Sequence, residues 1–414
     1  MRRLGIFCLP GRGHLYPITA LGRRLEIDGF EVTVLTRTVA KAIVSTAGLR
    51  FKSLDNSRSK TTVRRLHPSP RYMGPHPIEV LADHAQTVLD CGLDALAGQN
   101  FDALIIDQAD LAAGSVAERA GIPFINVSMF PPIYLSDSTP PFIFDWHPRG
   151  VALDNARNRR GNELFNRLLS PVIEIVSRFR TQQGLNSVEA INDLCSPLGI
   201  ITQLPKSLDF PRTLNNPYIY YSSQFYDDDI KPRPVFPWSR VQRKRLIYAC
   251  MGTVRTSSEE IIRIIAEACS RIDVQLIISL GGMWLIPEMF EDLPGDPIVV
   301  HFAPQMEVLK QAALCITHGG LNTVLESARC GVPMVVIPIT DDQPGVAARV
   351  VWHGLGFSIS ARRVTADILK DAIVSALESP SIAENVNNLK EIMRTLDGVG
   401  IASTTIQALL GSRL

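Results

Sequence analysis

Two residues in the first half of the chain have side chains that could together activate a hydroxyl group. His14 follows a short apolar run and a glycine turn, and Asp107 ends the apolar run 104–107. If both runs are parallel strands of one sheet, their carboxyl ends can meet at the edge where such sheets bind ligands. A carboxylate that accepts from one imidazole nitrogen orients the other nitrogen as a base. Alone, His14 is more often structural, and Asp107 also fits a helix N-cap.

A second group of residues has the pattern of an anion site. An apolar run is followed by a turn too tight for side chains and then by the start of a helix. Backbone N–H groups at such a helix start bind phosphate without a metal ion, and side-chain donors add to them. The residues are His318, Gly319, Gly320, Asn322 and Thr323. Glu326, about one helical turn later, could accept from ribose hydroxyls. A glycine turn of this kind is weak evidence by itself.

The elements that must position these residues alternate between strand and helix, which predicts two α/β domains. Strands are predicted at 4–9, 31–35, 101–107 and 122–128 in the first half, and at 246–250, 274–280, 297–301, 313–317 and 333–338 in the second. Pro17 is expected to open the first helix. Residues 55–78 are expected to form a long loop, and 129–148 to be neither helix nor strand because prolines interrupt them.

The predicted domain limits follow from composition. An N-terminal domain spans 1–222, a polar and proline-rich linker 223–243, a second domain 244–395 and a last helical segment 396–414. The formal net charge is +1, which gives no reason to expect nucleic acid as a partner. The seven cysteines form no CxxC pair and favour a reducing compartment without a zinc site. No signal peptide or apolar run of membrane-spanning length is found, so a cytoplasmic protein is expected.

The ordered motifs of the second half resemble the donor-binding signature of the family-1 UDP-glycosyltransferases. The matching residues are Phe302-Ala303-Pro304-Gln305, His318 through Thr323, Glu326, Gly331-Val332-Pro333 and Asp342-Gln343. The first half is similar to the same family at Gly13-His14 with Pro17, at Asp107, at Val116-Ala117 and at Gly121-Ile122-Pro123. Met251-Gly252-Thr253 matches the family's loop beside the phosphates. The resemblance implies a GT-B fold, with two Rossmann-like domains facing each other across a cleft and the last helix packing back on the first domain.

The resemblance also implies a role for each matching residue. Phe302, in the motif with Ala303, would stack on the base, and Gln305 and Glu326 would contact the nucleoside. The diphosphate would be held by His318, Gly320, Asn322 and Thr323, with Gly252, Thr253 and Gly13 beside it. Asp342 and Gln343 would bind the sugar hydroxyls. His14 would be the base and Asp107 its partner in an inverting transfer that needs no metal or cofactor besides the nucleotide-sugar donor.

Substrate identity is less constrained by the sequence. Plant members usually carry tryptophan where this chain has Phe302, which leaves both UDP- and dTDP-sugars open as donors. The apolar, aromatic segment 129–147 suits a lipophilic hydroxylated acceptor. Residues 342–349 and 104–108 look most like those of bacterial zeaxanthin glucosyltransferases, which favours glucose as the sugar and a carotenoid as the acceptor, with macrolides and plant natural products as alternatives. A monomer or weak dimer is expected, with peripheral membrane association left open.

Three other classes of protein share parts of this pattern. A nicotinamide-dependent oxidoreductase requires a third glycine after Gly11-Arg12-Gly13, and the chain has none there. A sugar-nucleotide epimerase of the same fold would not need His14 and Asp107 placed for an external hydroxyl. A nucleotide-sugar-binding protein without activity would lack one of that pair.

Overall fold

The computed structural model describes residues 2–55, 77–150, 153–212, 219–230, 233–242, 244–252, 258–281 and 285–411. In this part of the chain, strands and helices form two parallel sheets flanked by helices. The predicted α/β class with two parallel-sheet domains is therefore confirmed.

The first sheet has the strand order β3-β2-β1-β4-β5-β6-β7, and all its neighbouring strands run parallel. Its strands are β1 Arg3–Phe7, β2 Glu31–Thr36, β3 Arg50–Ser53, β4 Ala103–Asp107, β5 Phe124–Ser128, β6 Ile200–Thr202 and β7 Ile219–Tyr221. Its helices are α1 Arg12–Ile27, α2 Lys41–Thr46, α3 Pro77–Leu96, α4 Ala113–Ala120 and α5 Leu153–Gln182. The chain leaves β1 toward β2 and returns on the other side as β4. This reversal makes the β1/β4 edge a topological switch point, where ligands bind in such sheets.

The second sheet has the order β10-β9-β8-β11-β12-β13, again parallel throughout. Its strands are β8 Arg245–Cys250, β9 Val274–Ser279, β10 Ile298–Val300, β11 Ala312–Thr317, β12 Met334–Val336 and β13 Gly356–Ser358. Its helices are α6 Ser258–Ser270, α7 Gln305–Leu309, α8 Leu321–Cys330, α9 Gln343–Trp352, α10 Ala366–Glu378 and α11 Pro380–Arg394. The switch point here lies between β8 and β11.

The last helix, α12 (Gly398–Gly411), lies against α1 and not against the second sheet. Its buried residues Ala402, Ile406 and Leu410 belong to the apolar core of the first sheet. Two polar contacts accompany this packing: Arg24 pairs with Asp397 just before α12, and the Ser403 hydroxyl donates to Asp28. The C-terminal end of the chain is thereby tied to the N-terminal half.

Two sequence expectations differ from the structure. Pro17 does not open α1, because the helix begins at Arg12 and Pro17 lies inside it. The loop expected at 55–78 ends at Pro77, where α3 begins, and its residues 56–76 lie outside the described part of the chain. Within 129–148 the described backbone contains only an isolated bridge between Ser136 and Thr139, as the prolines indicate.

The predicted boundary at 222 remains a prediction, but one feature bears on it. Leu204 and Leu208, on its N-terminal side, pack in the apolar core of the second sheet. The segment that follows β6 therefore contributes to the contact between the two halves.

Candidate active site

His14 and Asp107 meet at the switch point of the first sheet. Asp107 is the last residue of β4, and His14 lies in the first turn of α1, just after β1. The imidazole Nδ1 and the Asp107 carboxylate are 2.7 Å apart. The Asp107 side chain is fully buried and also accepts from the backbone N–H groups of Leu9 and Ala109, whereas the His14 side chain is 25% exposed. The carboxylate is thus fixed, while the imidazole keeps an open edge.

The electrostatics of this pair favour charge separation. Burial alone would raise the pKa of Asp107, but attraction to His14 and its hydrogen bonds outweigh burial and lower it. Burial alone would lower the pKa of His14, but the charge and hydrogen bond of Asp107 outweigh it, and the pKa is raised. Because the carboxylate only accepts at neutral pH, the imidazole proton lies on Nδ1. Nε2 is then free to take a proton from a substrate.

His318 lies at the matching switch point of the second sheet, held between two glycines. It follows β11, and a Cβ atom on either Gly252 or Gly320 would lie 2.7 Å from its Nε2. Gly252 has φ +77° and Gly319 φ +93°, conformations that side chains other than glycine rarely adopt. Gly320 is the N-cap of α8, so the N–H groups of the first turn of that helix, which have no partner within the helix, lie beside the imidazole. Thr253 lies outside the described residues.

The His318 imidazole is neutral in this setting. Its Nδ1 lies 3.3 Å from the Cys250 carbonyl oxygen, which can only accept, so Nδ1 carries the proton. Burial lowers the pKa of His318. Nε2, which faces the two glycines, can therefore donate to an anion only after a second proton has bound.

Asn322 joins the two halves of the molecule. Its Nδ2 donates to the Gly13 carbonyl oxygen at 2.8 Å, and its Oδ1 accepts from Gln203 at 2.8 Å. Both predicted site residues, Gly13 and Asn322, are brought together here, next to His14. Gln203 was not predicted as a site residue.

Gln305, at the start of α7, and Glu326, in α8, form a hydrogen-bonded network in the second half of the molecule. Gln305 Nε2 donates to Glu326 at 2.6 Å and lies 3.4 Å from the Thr323 hydroxyl, while its Oε1 accepts from Tyr248 at 2.8 Å. Glu326 also accepts from Gln224 at 3.5 Å and is almost wholly buried. Gln305 therefore contacts two other predicted site residues, Glu326 and Thr323.

The Phe302 ring is covered by a guanidinium group from the first half of the chain. The Arg12 guanidinium lies 4.5 Å from the centre of its ring, a cation–π distance. The neighbouring Ala303 N–H donates to the Ser279 hydroxyl at 3.3 Å. A base that stacked on this face of Phe302 would have to displace Arg12, which the sequence analysis did not single out.

Gln343 begins α9, and Asp342 is its N-cap residue. The Gln343 side-chain oxygen accepts from the backbone N–H groups of Ile339 and Thr340, which fixes the turn before the helix. Burial, followed by repulsion from Asp341, raises the pKa of Asp342 to about 7, although the charge of His14 opposes this shift. Asp342 is thus close enough to His14 to interact with it electrostatically.

The helix α9 is also tied to the first half, by contacts that sequence reasoning missed. Arg349 and Asp209, both almost wholly buried, form an ion pair at 2.6 Å, and Asp209 also pairs with Arg212 at 2.8 Å. Burial alone would raise the pKa of Asp209, but the two arginines outweigh it and hold the pKa well below its usual range. Gly345 lies so close to segment 129–148 that a Cβ atom on it would meet the Phe142 carbonyl oxygen at 2.2 Å.

Within the described residues there is neither a cluster of metal-binding side chains nor a membrane-spanning helix. No group of three or more His, Cys, Asp or Glu side chains is placed to hold a metal ion within the ranges given above. In those same ranges, no helix combines the length and the apolar character that crossing a bilayer requires.

Comparison with known proteins agrees with the motifs. A family model described as UDP-glucoronosyl and UDP-glucosyl transferase matches residues 194–396. A zeaxanthin glucosyltransferase of Pseudescherichia vulneris is 30% identical, with 100% of this chain and 99% of the relative aligned. That of Pantoea ananas is 26% identical, with 97% and 94% aligned.

Solved structures show the same fold. The glycosyltransferase of kitacinnamycin has a TM-score of 0.76 at 21% identity, with 99% of both chains covered. The glycosyltransferase VinC, solved in complex with dTDP, has a TM-score of 0.73 at 18% identity, with 99% of this chain and all of that chain covered. The fold is GT-B, as the motifs predicted, and the chain belongs to the UDP-glucoronosyl and UDP-glucosyl transferase family of glycosyltransferases.

Proposed function

We propose that this glycosyltransferase moves glucose from a UDP-sugar to a hydroxyl group of a lipophilic small molecule, with a carotenoid as the leading acceptor, and that it inverts the anomeric carbon. One observation carries the proposal: the His14–Asp107 pair lies beside Gly13, whose carbonyl is bound to the start of α8. The proposed base and a helix start able to bind an anion would therefore lie side by side.

In the proposed reaction, His14 Nε2 takes the proton of the acceptor hydroxyl as its oxygen bonds to the anomeric carbon. The bond between that carbon and the diphosphate oxygen breaks, and the nucleoside diphosphate leaves with the electron pair. Asp107 stabilises the imidazolium that forms. Attack from the face opposite the leaving group gives inversion.

The donor would lie along the second sheet. The diphosphate is assigned to His318, Gly320, Asn322, Thr323, Gly252 and Thr253, the nucleoside to Phe302, Ala303, Gln305 and Glu326, and the sugar to Asp342 and Gln343. Phe302 would become available when Arg12 moves off its ring, and the Arg12 charge would then be free to approach the diphosphate. We propose no metal ion and no cofactor besides the donor, so excess EDTA should leave the rate of transfer unchanged.

A lipophilic acceptor is supported by the aromatic residues next to His14. Phe130 lies 6.1 Å from the His14 ring between centroids, Phe142 lies 5.6 Å from Phe130, and Phe165 lies 5.2 Å from Phe142. These side chains belong to segment 129–148 and helix α5. The two zeaxanthin glucosyltransferases among the relatives favour a hydroxylated carotenoid. A cytoplasmic monomer or weak dimer that visits membrane surfaces would suit such an acceptor.

The test is release of nucleotide from UDP-glucose, UDP-galactose, UDP-N-acetylglucosamine and dTDP-glucose, each with zeaxanthin, a sterol, a macrolide or a flavonoid. We expect release from UDP-glucose that depends on zeaxanthin, a product heavier by one hexose, and a β-linkage from the α-linked donor by NMR. Preference for dTDP-glucose or a macrolide would refute that part of the assignment. Interconversion of UDP-sugars without transfer would indicate the epimerase instead.

The role of His14 as the base is tested with the variant His14→Ala. We expect it to bind UDP as the wild type does and to lose transfer, because it removes the base and leaves the second sheet intact. Transfer at the wild-type rate would refute the mechanism.

A further inference from the structure

The Gln203 side chain forms hydrogen bonds to three separate segments of the chain. It follows β6 directly and is fully buried. Its Nε2 donates to the Met129 carbonyl at 3.0 Å and to Asn322 Oδ1 at 2.8 Å, and its Oε1 accepts from the Phe225 N–H at 3.3 Å. One amide thus contacts the start of segment 129–148, the donor-site helix α8, and residues 223–243, which join the two halves.

The bond to Asn322 fixes which way that amide points. Because Gln203 Nε2 can only donate, Asn322 must present Oδ1 to it, and Asn322 Nδ2 then faces the Gly13 carbonyl. That carbonyl is available because Pro17, four residues later in α1, has no N–H to donate to it. A line of hydrogen bonds therefore runs from Gln203 through Asn322 to Gly13, the residue before His14.

We propose that Gln203 is a positioning residue for transfer. By orienting Asn322, it holds the first turn of α1, which carries His14, against the start of α8. The proposal rests on the function proposed above, in which His14 is the base and the helix start receives the leaving diphosphate. Because Gln203 is fully buried and its side chain is bonded to protein groups, we expect its effect to be on the distance between the base and the donor. It should change kcat more than the KM for the donor.

A merely structural role is the alternative, and Gln108 provides the matched control. Gln108 is buried as well, and its side chain makes two hydrogen bonds to the same segment, donating to the Ile133 carbonyl at 2.7 Å and accepting from the Ile133 N–H at 2.9 Å. No hydrogen bond from Gln108 to the second half is found within the described residues. Loss of either glutamine removes buried hydrogen bonds to 129–148, but only loss of Gln203 frees Asn322.

The experiment compares Gln203→Met with Gln108→Met, since methionine keeps the size of the side chain and removes its hydrogen bonds. We measure kcat and KM for UDP-glucose with the acceptor found above, the urea unfolding midpoint, and hydrogen exchange of the backbone amides at 12–15. We expect Gln203→Met to lower kcat by about 10- to 100-fold, to change the donor KM by less than about threefold, and to speed exchange at 12–15. Gln108→Met should match it in unfolding midpoint while keeping kcat and exchange near wild type.

Equal losses of kcat in the two variants, or unchanged exchange at 12–15 in Gln203→Met, would overturn the proposal. If Gln203→Met does not fold, Asn322→Asp replaces it, because an aspartate still accepts from Gln203 but cannot donate to Gly13; it should speed exchange at 12–15 as well. Hydrogen exchange needs no turnover. A wild type that transfers no sugar would refute the proposed function, and exchange would still decide whether Gln203 holds the first turn of α1.

Discussion

The His14–Asp107 pair allows a sharp test through Asp107→Asn, which keeps the size of the side chain and removes its charge. Asp107 accepts from His14 and Leu9 through one oxygen and from Ala109 through the other. An asparagine has only one accepting oxygen, so its NH2 group must face one of these donors. If it faces His14, the imidazole takes the other tautomer, and Nε2 carries a proton and can no longer act as the base.

The size of the effect follows from what the pair supplies. A positioned general base contributes about 10²- to 10⁴-fold to a rate, which is about 3–5 kcal/mol of barrier at 1.36 kcal/mol for each factor of ten. Because Asp107 is fully buried, solvent screens its charge little and cannot compensate for its loss, and we expect kcat to fall within that range.

The pH profile separates this effect from general damage. Transfer requires neutral His14, so kcat/KM rises as the pH rises through the pKa of His14. Asp107 raises that pKa against the effect of burial. Without the carboxylate, burial lowers the pKa, and the rising limb of the profile should move to lower pH even as the plateau falls.

A second buried pair gives the control. Asp110 lies 3.1 Å from His84 Nε2 and accepts from the N–H groups of Ala112 and Ala113 at the start of α4. Asp110→Asn makes the same chemical change three residues away. It should lower stability but leave the pH limb in place. If Asp107→Asn keeps kcat within about threefold of wild type, or leaves the limb unmoved, the assignment of His14 as base is wrong.

Three further predictions concern the second site and the contact between the halves. Burial holds His318 neutral, and a bound diphosphate would raise its pKa. UDP should therefore bind with uptake of a proton, and its affinity should increase as the pH falls. Calorimetry in two buffers should detect this proton uptake, and His318→Gln should abolish it. Glu326→Gln should weaken UDP binding by about 10- to 100-fold, the value of a hydrogen bond to a charged group, and an unchanged Kd would refute its nucleoside role. Arg349→Met leaves the buried Asp209 with fewer partners and should lower the free energy of unfolding by about 3 kcal/mol. Arg271→Met, which removes exposed ion pairs with Glu267 and Asp367, should cost under about 1 kcal/mol for each pair in urea unfolding; equal losses in the two variants would contradict this reasoning.

The local parts of the fold were predictable where the sequence marks them strongly. The helix predicted to start after the turn at Gly319-Gly320 is α8, because the two glycines before it and Gly331 after it, with φ +72°, set both ends. The 30-residue helix α5 received no prediction. It is rich in arginine and asparagine and contains Pro171. Its buried residues, such as Phe165 and Val172, lie apart in the sequence on a narrow face, so no apolar run indicates a helix here.

The site was predictable within each half and not between them. His14 and Asp107 lie at the ends of neighbouring parallel strands, and strand order follows from the alternation of elements. The partners of Asn322 depend instead on how the two halves meet, which no local pattern encodes. Gln203 lacks any motif, and its role depends on contacts with residues far away in the sequence.

The close approach of Gly345 to the Phe142 carbonyl has a consequence for changing what this enzyme accepts. Exchanging residues 129–148 for those of a relative is an obvious way to build a chimera with a new acceptor range. The exchanged segment must fit against the first turn of α9, where even a methyl group would collide with the backbone. We therefore expect segment 129–148, the proposed acceptor segment, to be interchangeable only where position 345 is glycine, so the two stretches should be transplanted as a unit.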